Sequence, residues 1–91
     1  MALFKSAPAN QIENNEIREI VKRAASAMVI EAHIHGEAFP AEWHSFSLGK
    51  RLERSETIRS LRAIEQSRVF NIAWEQFKFN MYSATTLSNE S

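Results

Sequence analysis

From Ser55 to Ser83 the chain reads SETIRSLRAIEQSRVFNIAWEQFKFNMYS, and neither Pro nor Gly interrupts it. Placed at about 100° per residue, Ile72, Ile58, Val69, Ala73, Phe77, Phe70, Met81 and Trp74 follow one another around roughly half of a helical wheel. Leu61 and Phe79 widen this arc, and Ile64 lies just beyond them. A helix facing a single neighbour needs an apolar stripe of only about 100°. The pattern therefore predicts one long helix with more apolar surface than one neighbour covers.

A second helical pattern precedes it. Ile17, Ile20, Val21, Ala24, Ala27 and Met28 form one stripe, and the alanines would allow another helix to approach closely. Asn10 with Glu13 three residues on resembles a capping box and predicts a helix start after Asn10. Glu13, Glu16 and Glu19 come early and Arg18, Lys22 and Arg23 later, an order that suits the helix dipole and i,i+4 pairing. Val29 and Ile30 fall off the stripe. Gly36 is a natural stop.

Between the two lies a short segment, residues 37–49. Pro40 fits the first position of a helix with Glu42 in its first turn and Gly49 ending it. The competing pattern is WHSFSL, whose period-two alternation suits an extended run. The helix is the reading adopted. Lys50 to Arg54 then either join the long helix or stop short of it, with Ser55 as a fresh cap. The expected fold is all-α: two long helices and a short middle helix, completed by oligomerisation. Residues 1–9 are expected to be a flexible leader, 10–83 one helical domain, and 84–91 a flexible tail of small polar residues.

Composition agrees with helix. All eleven acidic residues are glutamate, which tolerates a helix interior where aspartate prefers caps and turns. A chain of 91 residues buries only about 60–65% of its unfolded surface, so its core is thin. With no cysteine, neither disulfides nor a thiolate zinc site can reinforce that core. Packing or self-association remains, and a homodimer is the expected form. No apolar run is long enough to span a membrane, and MALFKSAPAN is a poor signal peptide. On these features a cytoplasmic protein is expected.

Three clusters are candidates for function. Phe70, Trp74, Phe77 and Met81 are large apolar residues of the type enriched at interface centres, which makes them candidate anchors for a second copy or another protein. Their bland alternative is core. Lys50, Arg51, Arg54, Arg59, Arg62 and Arg68 hold six of the eleven basic residues, interleaved with Glu53, Glu56 and Glu65. Lys50, Arg51, Arg54, Arg59 and Arg62 are candidate nucleic-acid contacts. The balanced total charge argues against that role, and the wheel scatters these residues, with Arg59 and Arg62 inside the apolar arc. The third cluster spans residues 31–44, where His33, His35 and His44 occur with Glu31, Glu37 and Glu42. His33–Glu37 and Glu31–His35 have i,i+4 spacing that could clasp a metal on a helix, but Gly36 interrupts the first pair. HEXXH is absent, and histidines at a helix C-terminus already suit the dipole.

No cysteine nucleophile, aspartate, G-x-S-x-G or Gly-rich phosphate loop is present, and no motif points to a cofactor. The best-supported expectation is a small non-enzymatic protein that self-associates and binds a macromolecular partner as a regulator, adaptor or inhibitor. A nucleic-acid accessory protein and a metal-binding or metal-assisted enzyme are the alternatives.

Overall fold

A computed structural model describes residues 7–36 and 41–90, with side chains as far as Ser83. The first long helix, α1 (Asn15–His35), is capped by Asn14 rather than Asn10: Asn14 Oδ1 accepts a hydrogen bond from the Ile17 amide at 3.0 Å. Ile12 explains the shift. On a continuous helix it would face away from Ile17, Val21 and Met28, towards solvent. Instead Pro8–Gln11 form a 3-10 turn that lays Ala9 and Ile12 against the body, at 0% and 3% exposure. The boundary between leader and domain, drawn before Asn10, falls inside this turn. Residues 1–6 of the leader lie outside the described residues.

Gly36 ends α1 as the sequence implies. Its φ of 61° and ψ of −143° belong to a region that L side chains avoid, and its amide donates to Ala32 O. The middle segment is helical. The second helix, α2 (Ala41–Glu53), includes WHSFSL, so the extended alternative does not hold. Pro40 lies outside the described residues. Gly49 does not stop α2; it sits in mid-helix against Phe70, whose Cε1 would lie 3.7 Å from a Cβ added at Gly49. Lys50–Glu53 consequently belong to α2. Ser55 caps a new helix, accepting a bond from the Ile58 amide.

The expected single helix from Ser55 to Ser83 is divided. A short α3 (Glu56–Arg59) is followed by a break at residues 60–62, and then by α4 (Ala63–Glu90). No helix-breaking residue causes this; the packing does. Leu61 and Val69 share a cleft with Ile12 and Ile17, so α4 begins beside the start of α1. Continued back in the same direction, α4 would place Ile58 about one and a half turns before Ala63, away from Gly49 and Leu52. Folding back puts Ile58 at 4% exposure beside Gly49 and Leu52 instead. The bend is held by Gln66 Nε2, which donates to Leu61 O at 2.9 Å and Arg59 O at 3.2 Å, and by Arg59 Nη1 donating to Glu53 O. The backbone of α4 runs on to Glu90; the side chains of the tail assigned to 84–91 lie outside the described residues.

The order of contacts gives the topology. Ile17 lies near Val69 at one end, and Ala32 near Phe77 at the other, so α1 and α4 run parallel. Between them α2 runs the opposite way, with Arg51 and Ser47 reaching Glu31, and Gly49 meeting Phe70. The described residues contain no strand, and the class is all-α. The core is built from Val21, Ala25, Met28, Leu48 and Ala73, all at 0% exposure, with Val69, Ile72 and Phe77 from the arc of α4. Gln76 is buried among them. Its Oε1 accepts the Ala9 amide at 2.8 Å and its Nε2 donates to Asn80 Oδ1, tying the N-terminal turn to α4.

The two glycines should respond oppositely to alanine. Gly36→Ala forces a side chain into a glycine-only conformation, and a loss of about 1–3 kcal/mol is expected. Gly49→Ala removes a flexible residue from a helix interior where the new methyl meets Phe70 at ordinary contact distance, so a gain of about 0.5–1 kcal/mol is expected. Urea denaturation midpoints check both. Midpoints that move the same way would contradict this account of the α1 terminus.

Candidate functional site

The sequence nominates α4 as the binding element, and the structure shows which part of its arc the other helices leave uncovered. Val69, Ile72, Ala73 and Phe77 face the core. Phe70, Trp74 and Met81 lie on the flank and are only partly buried. A groove of about 720 Å³ opens there, where the end of α1, the start of α2 and the middle of α4 converge. Trp74, Phe77 and Met81 form its apolar wall, with Lys78 beside them. Ala32 and His33 of α1 and His44 of α2 close the other side. Three of the four anchors nominated from sequence therefore meet in one groove, with Phe77, at 6% exposure, as its floor. Phe70 sits nearer the start of α4, in a separate cleft with Gly49, Leu52 and Ile58.

The aromatic packing is specific. Trp74 and Phe77 have ring centroids 5.3 Å apart, and His44 stands 6.0 Å from Phe77 and 5.4 Å from Trp43. His44 Nε2 is sealed from solvent and has no hydrogen-bond partner among the described residues. A buried polar atom left so costs on the order of 1–3 kcal/mol. Beyond the groove, Tyr82 is 75% exposed, one turn past Lys78, so the aromatic character of α4 continues onto open surface.

Of the basic set nominated from sequence, Arg51 and Arg54 share one cleft and Lys50, Arg59 and Arg62 do not join them there. Lys50 lies over the Phe46 ring, 5.3 Å from its centroid. Arg51 turns into the α1–α2 interface, where Nη2 meets Glu31 Oε2 at 2.6 Å. Arg59 braces the α3 bend, Arg54 is exposed at the end of α2, and Arg62 is exposed in the break. The apparent place of Arg59 and Arg62 inside the apolar arc comes from treating two helices as one.

The His/Glu window does not assemble either. Among the described residues no group of three or more His or Glu side chains is placed to hold a metal. Glu31 is engaged by Arg51 and by the Ser47 hydroxyl at 2.9 Å. His33 Nδ1 donates to Val29 O at 2.9 Å, and His35 packs edge-on to Trp43 at 5.5 Å. Glu37 lies outside the described residues, and Glu42 is exposed on the first turn of α2.

Sequence reasoning misses the partners of these residues. Arg51 and Glu31 are twenty positions apart, with no local pattern to connect them. Gln76 was legible in principle: it falls inside the apolar arc, between Ile72 and Val69 on the wheel, where a polar side chain must find a buried partner. No described helix is long and apolar enough to cross a membrane. Comparison with protein-family models, with curated proteins and with solved structures gives no match for this chain.

Glu31 supplies a test of the α1–α2 clasp. The Arg51 hydrogen bond, helped by Ser47 and by the charges of Arg51 and His35, outweighs burial and holds its carboxyl below the ordinary 4.5. A depressed folded value means that the stabilisation is complete above the unfolded pKa and is lost as pH falls through the folded one. Wild-type stability should therefore drop on acidification below about 4.5 more steeply than that of Glu31→Gln. Parallel stability–pH curves, measured by urea denaturation, would refute a working clasp.

Proposed function

We propose that this protein is a small non-enzymatic helical regulator or adaptor that self-associates and holds a macromolecular partner in the groove along α4. The observation that carries this reading is the groove itself. It gathers Trp74, Phe77 and Met81, residues of the kind that dominate binding energy at protein interfaces, around an opening of about 720 Å³. The opening is broad and its wall is apolar, which suits the face of a helix better than a small polar substrate. Other large apolar side chains also lie open, among them Ile34 at 73%, Ile64 at 72% and Tyr82 at 75%. A thin core with such residues outside it is what a shared interface would relieve. The non-enzymatic part rests on the lack of cysteine, aspartate and glycine-rich loops, and the cytoplasmic placement on the same composition.

Two measurements test it. Light scattering at low micromolar concentration should return about twice the 10.4 kDa chain mass. The double substitution Trp74→Ala with Met81→Ala should return a monomer whose circular dichroism stays helical, because both residues are only partly buried. A wild-type monomer would remove self-association from the proposal. Affinity capture from the native host then checks the partner: a protein held by the wild type should be lost with the double variant. Capture indifferent to these substitutions would remove the groove.

A further inference from the structure

Towards the other end of the bundle, α1 and the end of α2 flank an open, shallow cleft of about 400 Å³. Its floor is apolar and small, made by Ile20, Ala24 and Ala27. Its walls carry three arginines: Arg23 from the middle of α1, and Arg51 and Arg54 from the end of α2. Among the described residues no carboxylate lines it. Of the three arginines only Arg51 has an acidic partner among those residues, Glu31, and that bond uses Nη2. Arg51 Nε is sealed from solvent, and no described residue hydrogen-bonds to it. Arg23 reaches the Glu19 backbone carbonyl at 3.4 Å rather than a carboxylate. The exposed Arg54 side chain forms no ion pair with any described residue.

Part of this has an ordinary cause. Cations at a helix C-terminus offset the dipole, which accounts for Arg51 on α2 and Arg54 just past its end. It does not account for Arg23, which joins them from another helix. Arg51 is compensated by Glu31, so two arginines, Arg23 and Arg54, face the cleft with no carboxylate partner among the described residues, and such like charges cost stability unless an anion compensates them.

We propose that this cleft is an oxyanion site that takes a phosphate monoester group. One guanidinium fork satisfies a carboxylate, whereas a phosphate monoester presents three oxygens and two negative charges that several forks can share. The alanine floor admits the group without a clash and keeps water from one side of it, which strengthens each charge-assisted bond. Arg23 and Arg54 supply the outer contacts. Arg51, anchored by Glu31 through Nη2, stands behind them with an Nε that no described residue hydrogen-bonds. The site is separate from the groove and does not depend on the function proposed for it.

Titration with inorganic phosphate, followed through the arginine Nε–H signals in ¹H–¹⁵N spectra, tests the assignment. Saturable shifts confined to Arg23, Arg51 and Arg54 are expected within a few millimolar. Arg23→Gln and Arg54→Gln should each weaken binding by about tenfold, the loss typical of one charged hydrogen bond. Both positions are exposed, so the fold should survive, and circular dichroism confirms that it does. A neutral peptide carrying one phosphoserine and adenosine monophosphate form two further arms. Tighter binding of the peptide assigns the site to a phosphorylated protein, tighter binding of the nucleotide to a free phosphate compound, and equal binding to the phosphate group alone. Shifts reproduced by sodium chloride at matched ionic strength, shifts that do not saturate, or an Arg23→Gln variant that binds as well as wild type would each overturn the proposal.

Discussion

The rest of the structure answers to one constraint: α4 presents an apolar arc too wide for any single neighbour. Burial of apolar surface is the dominant favourable term in folding, and a chain of 91 residues has few elements with which to achieve it. Helix α1 packs along α4, with Ile17 beside Val69, while Ile72 and Ala73 are buried in the same core. The 3-10 turn before α1 covers the adjoining face through Ala9 and Ile12. Helix α2 covers the flank where Phe70 meets Gly49. What remains is the strip of Trp74 and Met81 above the buried Phe77, and the groove is the gap between three helices that between them do not quite close it.

Hydrophobic burial is non-directional, so it cannot by itself set where along α4 each element stops. Polar contacts do that here. Gln76 fixes the N-terminal turn by accepting the Ala9 amide, and Gln66 and Arg59 hold the α3 bend through backbone carbonyls. Glu31 joins α1 to α2 through Arg51 and Ser47. Half-buried ion pairs of this kind add little net stability, because desolvation opposes the Coulomb attraction. Their value lies in register: slide α2 by a turn and an arginine and a glutamate lose their partners together.

The arrangement separates two surfaces with different chemistry. At one end the groove offers aromatic and thioether side chains with histidines and Lys78. Towards the other, the cleft offers arginines over alanines. The chain has no net charge, yet its charges are not evenly distributed in space. Arg23, Arg51 and Arg54 share a cleft that no described carboxylate lines, while Glu75 and Glu19 are paired with lysines on exposed helix faces. Formal charge balance therefore says little about what an individual surface can bind.

How much of this was legible depends on the range of the interaction concerned. The all-helical class, Gly36 as the end of α1, and α4 as the element with excess apolar surface all derive from periodicity and local stereochemistry, which act within a few residues. So do Trp74, Phe77 and Met81 as residues to watch. The capping of α1 at Asn14 was decided by where Ile12 could be buried, and the break after Arg59 by where α1 begins, and neither leaves a local mark. The same holds for the site. Lys50, Arg51, Arg54, Arg59 and Arg62 are neighbours along the chain, but the fold sends Arg51 to Glu31, uses Arg59 to brace a bend, and brings Arg23 from another helix to Arg51 and Arg54. Periodicity determines which face of a helix seeks cover. Only the packing of helices against one another decides which residues, distant in sequence, come to share a surface.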